Sequence, residues 1–217
     1  MKIVRLEATE MELSDPSFAG WRRLAALEVP LVPTPLFGNP LVIKISPFIA
    51  KSTDHGTLLS AKLKCAHNGS RIFIYLSWKS SKNDKIADLD QFVDGAAVMF
   101  PLSEGSSATT MGSEEHPVNA WYWKANLKKE AFDVIARGYG TSQRLKDERL
   151  PIKANASYEN GRWELVLNRE MTSALSRAEF MVGGETKMAF AFWDGSNRER
   201  SGRKSFSGEF QTFEIEA

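Results

Sequence analysis

Cysteine is almost missing from this chain. Cys65 is the only one among 217 residues, so no intramolecular disulfide can form. Its place in an alternating run marks it as a small core residue. Histidine is nearly as scarce: His55, His67 and His116 form no HxxH or HExxH pair. Without CxxC or CxxCH, zinc knuckles, iron–sulfur motifs and covalent c-type haem are excluded. No charge of one sign dominates; 28 basic and 27 acidic residues leave +1, which gives no footing for nucleic acid. No apolar run is long enough to span a membrane. The N-terminal MKIVRLEATEMEL has no apolar h-region and does not read as a signal peptide. A GxSxG elbow, a P-loop and a GxGxxG fingerprint are also lacking, and Gly183-Gly184 is only a turn signal. Glu114-Glu115 and the pair Asp84 and Asp88 read as solvated loop carboxylates. The usual equipment of an independent enzyme is therefore absent.

What the chain does have is alternation. Leu58 to Ala66 and Arg71 to Trp78 flank Asn68-Gly69, and Ile152 to Tyr158 and Trp163 to Asn168 flank Asn160-Gly161. Asn-Gly between alternating runs is a strong hairpin signal. Ala96 to Pro101, Asn119 to Ala125, Lys187 to Trp193 and Phe206 to Ile215 add further strands. Five prolines between residues 28 and 48 (Pro30, Pro33, Pro35, Pro40 and Pro47) predict extended chain without helix there. Helix is expected only as one turn at Lys85 to Asp90 and two or three turns over Glu170 to Phe180. Short strands and frequent turns predict an all-β antiparallel sandwich, a single domain over 1–217.

Two stretches stand out. Thr109 to Lys124, TTMGSEEHPVNAWYWK, sets Met111 in a polar Gly/Ser loop ahead of an aromatic strand. Arg198 to Phe206, RERSGRKSF, is a basic loop near the C-terminus. A methionine in such a loop has no core to fill and can present its thioether to a flat cofactor.

With VDGAAVMFP (Val93 to Pro101), PVNAWYWKA (Pro117 to Ala125), AFWDGSNRERSGRKSFSGEF (Ala191 to Phe210), SPF (Ser46 to Phe48) and NDKIADLDQF (Asn83 to Phe92), these stretches make the chain resemble the γ subunits of the ethylbenzene dehydrogenase family. Related subunits serve dimethyl sulfide dehydrogenase, selenate reductase and chlorate reductase. The resemblance runs from about Pro33 to Ile215. It implies a DOMON-like cytochrome sandwich carrying one haem b, with a methionine and a lysine as axial ligands. It also implies a non-catalytic subunit of an αβγ heterotrimer. There the α subunit holds molybdopterin, the β subunit holds iron–sulfur clusters, and this chain passes electrons to an acceptor such as a cytochrome c or a quinone. Ethylbenzene-type hydrocarbon or steroid oxidation, as in anaerobic hydrocarbon degradation, would occur on the α subunit.

On this resemblance Met111 is the first candidate for the thioether ligand and Met99 the alternate. Lys204 is the first candidate for the amine and Lys187 the alternate. Only a neutral amine can bind iron, and deprotonating an ordinary lysine at pH 7 costs roughly 4–5 kcal/mol. Burial against aromatic rings reduces that cost. Trp121, Trp123, Phe190 and Phe192 are candidate pocket walls; Arg198, Arg200 and Arg203 are candidates to pair with haem propionates. The competing reading is a carbohydrate- or other ligand-binding sandwich, with Trp121 and Trp123 as a stacking platform. Relatives work in the periplasm, so the expected route is co-export with a signal-bearing partner, and a cytoplasmic complex is the alternative.

Overall fold

The computed structural model describes residues 1–146, 149–172 and 175–217. In chain order these form β1 (Lys2–Arg5), α1 (Glu10–Ser14), α2 (Ala19–Arg23), β2 (Leu27–Pro30), β3 (Val32–Pro33), α3 (Pro40–Ile45), β4 (Ser60–His67), β5 (Arg71–Lys79), β6 (Gly95–Pro101), β7 (Val118–Lys124), β8 (Phe132–Ala136), β9 (Gln143–Leu145), β10 (Lys153–Glu159), β11 (Arg162–Glu170), β12 (Glu185–Trp193), β13 (Ser205–Phe206) and β14 (Gln211–Ile215).

The strands lie in the order β10-β11-β5-β4-β1-β14-β12-β6-β7-β8-β9. Pairing is antiparallel except at β1, which runs parallel to both β4 and β14 and joins the two halves. The halves fold onto each other. Leu63, Ile74, Trp78, Trp163 and Leu165 from one half meet Val98, Phe100, Trp121, Trp123, Phe190 and Phe192 from the other in one core. Alternation along each strand makes this possible, since every second side chain faces inward. Cys65 is part of that core, as its pattern predicts. Trp78, Trp123 and Trp163 meet at one end with ring centroids 5.1–6.2 Å apart. Truncating any of them to alanine should cost about 3–5 kcal/mol.

Both Asn-Gly turns are present. Asn160 and Gly161 take φ 50° and 72°, the positive pair of a tight hairpin turn. Asn68 Oδ1 instead accepts from Ser70 N and Arg71 N, a side-chain-capped turn.

Local signals for helix were misleading in both directions. The proline-rich segment does contain a helix, α3, because Pro40 sits in its first turn, where no N–H is needed. Asn39 caps it by accepting from Leu41 N at 3.0 Å. Conversely, 85–90 is irregular, and Glu170 ends β11; residues 175–180 are turn and loop, while 173 and 174 lie outside the described residues. Helices α1 and α2 were also unexpected from sequence; α1 is stabilised by a capping box, Thr9 with Glu12.

Candidate functional site

The outer face of the β12-β6-β7-β8-β9 layer is built from the other parity of the same strands. One row across it reads Phe206, Ala191, Ala97, Tyr122, Phe132. The next reads Ala189, Met99, Ala120, Val134, Arg144. Four alanines thus occupy the middle of the sheet and make a flat floor. Trp193, Tyr122 and Phe132 form a ridge along it, with centroids 4.8 Å and 6.2 Å apart. The Arg144 guanidinium ends that ridge, 3.6 Å from the Phe132 ring centroid.

Two loops roof this floor. The β6–β7 loop brings Met111, and the β12–β13 loop brings Lys204. Their functional atoms meet: Lys204 Nζ lies 3.7 Å from Met111 Sδ. The ammonium also sits 5.1 Å from the Trp193 ring centroid. Lys204 is 7% exposed, and among the described residues no ion pair reaches it. Burial therefore pushes its amine down to about 8. Deprotonation at pH 7 is then far less costly than the roughly 4–5 kcal/mol of a solvated lysine.

The Met111 loop is tightly specified. Met111 N donates to Ala108 O, Gly112 N to Ser107 O and Gly138 N to Met111 O. The Tyr139 hydroxyl donates to Thr109 O at 2.6 Å. Met111 itself has φ 60°, a left-handed conformation costing roughly 1–2 kcal/mol for a residue with a side chain. Gly112 follows at φ 80°, where an added Cβ would stand 2.7 Å from His116 O. A methionine is retained where the backbone favours glycine, which points to use of its side chain. Replacing Met111 by Gly relieves about 1 kcal/mol of backbone strain and gives up the side chain's packing on Met99, Ala108 and Val118, so the cofactor-free chain should lose less stability than with Met111→Ala, which gives up the packing and keeps the strain. Urea unfolding of the two variants without cofactor measures it; a Met111→Gly protein less stable than Met111→Ala would contradict it.

The Lys204 loop is held from within. Glu199, 2% exposed, accepts from Gly56 N at 2.6 Å, Asn197 Nδ2 at 3.0 Å and Asp194 N at 3.0 Å. Thr34 donates both its N–H and its hydroxyl to Lys204 O. At the loop's start the buried Asp94 accepts from Trp163 Nε1 at 2.7 Å, Gly195 N at 2.9 Å and Ser80 Oγ at 3.0 Å. Desolvation raises its carboxyl, and those three donors oppose the shift.

The other expected residues fall into place unevenly. Met99 lies on the floor, 8% exposed. Lys187 shares the floor's parity but is exposed at the start of β12, in an open cleft with Pro101 and Leu102. That cleft, about 700 Å³, does not reach Met111 or Lys204. Trp121, Trp123, Phe190 and Phe192 have the inward parity and lie in the core between the layers. They back the floor without lining it; Tyr122 and Trp193 are the aromatic residues on its face. Burial of Trp121 and Trp123 also removes the stacking platform on which a sugar-binding reading rested. Arg203 pairs with Asp54 at 3.1 Å. Arg200 lies 4.3 Å from the Phe92 ring centroid, and Arg198 is exposed with φ 55°. The histidines are dispersed: His55 contacts Thr34 O, His67 caps Gly69 N, and His116 contacts Ser103.

Sequence reasoning missed the floor alanines and Arg144. The signal was there in GAAVMF, NAWYWK and KMAFAFW, where Ala97, Ala120, Ala189 and Ala191 fall on one parity and Trp121, Trp123, Phe190 and Phe192 on the other. Arg144 sits on a three-residue edge strand too short to show any period.

One alanine-floored outer face lies beneath a thioether and a buried amine, and this defines a β-sandwich domain with two potential metal donors in contact. Residues 19–150 and 142–205 match the ethylbenzene dehydrogenase family, and the chain belongs to it. It is 35% identical over 201 residues to a Haloferax mediterranei protein named as a respiratory nitrate reductase heme subunit, covering 91% of this chain and 67% of that one. It is 31% identical over 217 residues to chlorate reductase subunit gamma of Ideonella dechloratans, covering 96% and 83%. Dimethylsulfide dehydrogenase subunit gamma of Rhodovulum sulfidophilum is 27% identical over 203 residues, covering 89% and 72%. Among solved structures, a Bacteroides uniformis protein described as carbohydrate-binding shares the fold, with TM-score 0.58, 10% identity and coverage of 100% and 98%. No helix among the described residues is long and apolar enough to cross a membrane.

Proposed function

We propose that the chain, as a single domain, is the haem b electron-transfer subunit of a molybdenum oxidoreductase complex, with Met111 and Lys204 as axial ligands. The observation that carries this is the meeting of Met111 Sδ and Lys204 Nζ at 3.7 Å above the alanine floor. Met111 and Lys204 would hold the iron, the thioether sulfur and the amine nitrogen being its two protein donors. The donors fit the group chemically: one is soft, and burial has already removed most of the proton's hold on the other.

When bound, haem supplies one-electron chemistry, and methionine ligation favours a raised potential. The chain's own residues hold it and exclude water. Ala97, Ala120, Ala189 and Ala191 would offer only methyl groups to a flat ring. Tyr122 and Trp193 border that floor. Arg144, on the floor's own face, is the cation available to an acidic edge, beside the loop arginines Arg198, Arg200 and Arg203.

The relatives named as subunits of nitrate reductase, chlorate reductase and dimethyl sulfide dehydrogenase support a place beside molybdopterin (α) and iron–sulfur (β) subunits. The substrate belongs to the α subunit, and a hydrocarbon or steroid is one class among several. A periplasmic location by co-export agrees with this reading.

The test is the visible spectrum of the purified chain reconstituted with haem. A Soret band and sharp reduced α/β bands are expected. Met111→Ala should shift the spectrum toward a weaker-field form, whereas Met99→Ala should leave it unchanged. The reverse pattern would move the ligand to Met99; a colourless protein would sink the haem reading altogether.

A further inference from the structure

Glu209 holds together the two segments that carry Met111 and Lys204. It stands in the turn between β13 and β14, directly after Gly208, whose φ is 77°. Ser207 fastens that turn to β12: its N donates to Phe190 O at 2.9 Å, and its Oγ accepts from Phe190 N at 2.8 Å. From this base the Glu209 carboxylate reaches the methionine loop, a hundred residues away in sequence. Oε1 accepts from Thr109 Oγ1 at 2.7 Å and from Ser107 Oγ at 3.1 Å, and Oε2 accepts from Ala108 N at 3.3 Å. These three residues lead directly into Met111, and Ser107 O also takes the Gly112 N–H that closes the loop. Partial burial acts to raise the Glu209 carboxyl, and the donors outweigh it, so its net displacement is downward.

We propose that Glu209 is a positioning residue: it locks the Met111 loop onto the strap that carries Lys204, and so sets the contact between the thioether and the cofactor's iron. This rests on the reading of Met111 and Lys204 as ligands. A carboxylate suits the task because one group can accept from several donors at once, and bonds to an ionised acceptor are the stronger kind.

The experiment uses the full chain reconstituted with haem, comparing wild type with Glu209→Ala, Glu209→Gln, Met111→Ala, the Met111→Ala/Glu209→Ala double variant and a surface control, Glu214→Ala. Visible spectra, midpoint potentials and haem release to a scavenger protein are recorded. Glu209→Ala should release haem about tenfold faster, the equivalent of one charged hydrogen bond. It should also move the midpoint potential in the same direction as Met111→Ala. Glu209→Gln should fall between, since its amide keeps one accepting oxygen. The double variant should match Met111→Ala alone, because Glu209 acts through the thioether. Should Met111→Ala shift the spectrum while Glu209→Ala behaves as wild type or as Glu214→Ala, the proposal falls and the ligand reading stands. Full additivity in the double variant would also overturn it. A silent Met111→Ala would remove the ligand reading and this proposal together.

Discussion

Replacing Lys204 by Leu should make the cofactor-free chain more stable at pH 7, by about 3 kcal/mol, while destroying its capacity to hold haem through nitrogen. The amine is pushed from 10.5 in the unfolded chain to about 8 in the fold. A lysine with a depressed folded value opposes folding wherever the unfolded chain binds the proton and the fold resists it. Below pH 8 the full penalty applies. As pH rises from 8 to 10.5 the unfolded chain still binds the proton that the fold has released, so wild-type stability climbs toward that of the variant. Above about 10.5 both states are neutral and the proton's contribution vanishes. Urea unfolding of both proteins at pH 7 and pH 10, without haem, measures it. The Lys204→Leu advantage should be large at pH 7 and mostly gone at pH 10. A variant less stable than wild type at pH 7 would mean that the ammonium has better partners than Met111 and Trp193. With haem present the order should reverse, since the wild-type fold alone gains the nitrogen bond, and ligand binding stabilises by mass action.

Glu199→Ala is the second large effect, and its sign is the opposite. Its carboxylate is the common acceptor for Gly56 N, Asp194 N and Asn197 Nδ2. Truncation removes the shared acceptor from all three donors, at a cost of about 3 kcal/mol. Glu199→Gln retains one acceptor oxygen and should lose about half as much. Because Asp194 and Asn197 begin the loop that ends at Lys204, haem affinity should fall along with stability. Denaturant midpoints and haem titration of the same samples check both. A Glu199→Ala protein of wild-type stability would show that water replaces the carboxylate at that site.

Both effects depend on residues whose roles the sequence displays to different degrees. Met111 is conspicuous locally: no apolar residue adjoins it in TTMGS, although the fold packs its side chain against the cluster of Met99, Ala108 and Val118. Lys204 is one of many cations, and nothing within RERSGRKSF distinguishes it from Arg203. Its distinction is burial, and burial depends on Trp193 at the end of the preceding strand and on Thr34 and the Met111 loop, both distant in sequence. The four wall aromatics illustrate the complementary limit. Trp121, Trp123, Phe190 and Phe192 look like cofactor walls because aromatics alternate there, and alternation marks the faces of a strand without saying which one turns inward. The fold turned those four aromatics in and left Ala97, Ala120, Ala189 and Ala191 on the outer face beside Tyr122 and Trp193.

The sequence by itself determined the all-β class, the longer alternating strands, both Asn-Gly turns, the lack of paired-histidine, disulfide and enzyme motifs, and the family; it did not show the short strands β1, β2, β8 and β9. What it determined follows from nearest-neighbour chemistry: period-two alternation, positive-φ turn residues, and which donors exist at all. Tertiary structure alone decided that Met111 and Lys204 meet at 3.7 Å, that Glu199 and Glu209 brace their loops, and that a proline-rich segment contains a helix. The physical reason is range. A pKa, a buried contact or a floor of alanines is set by atoms that only folding brings together, and Met111 and Lys204 are 93 residues apart along the chain.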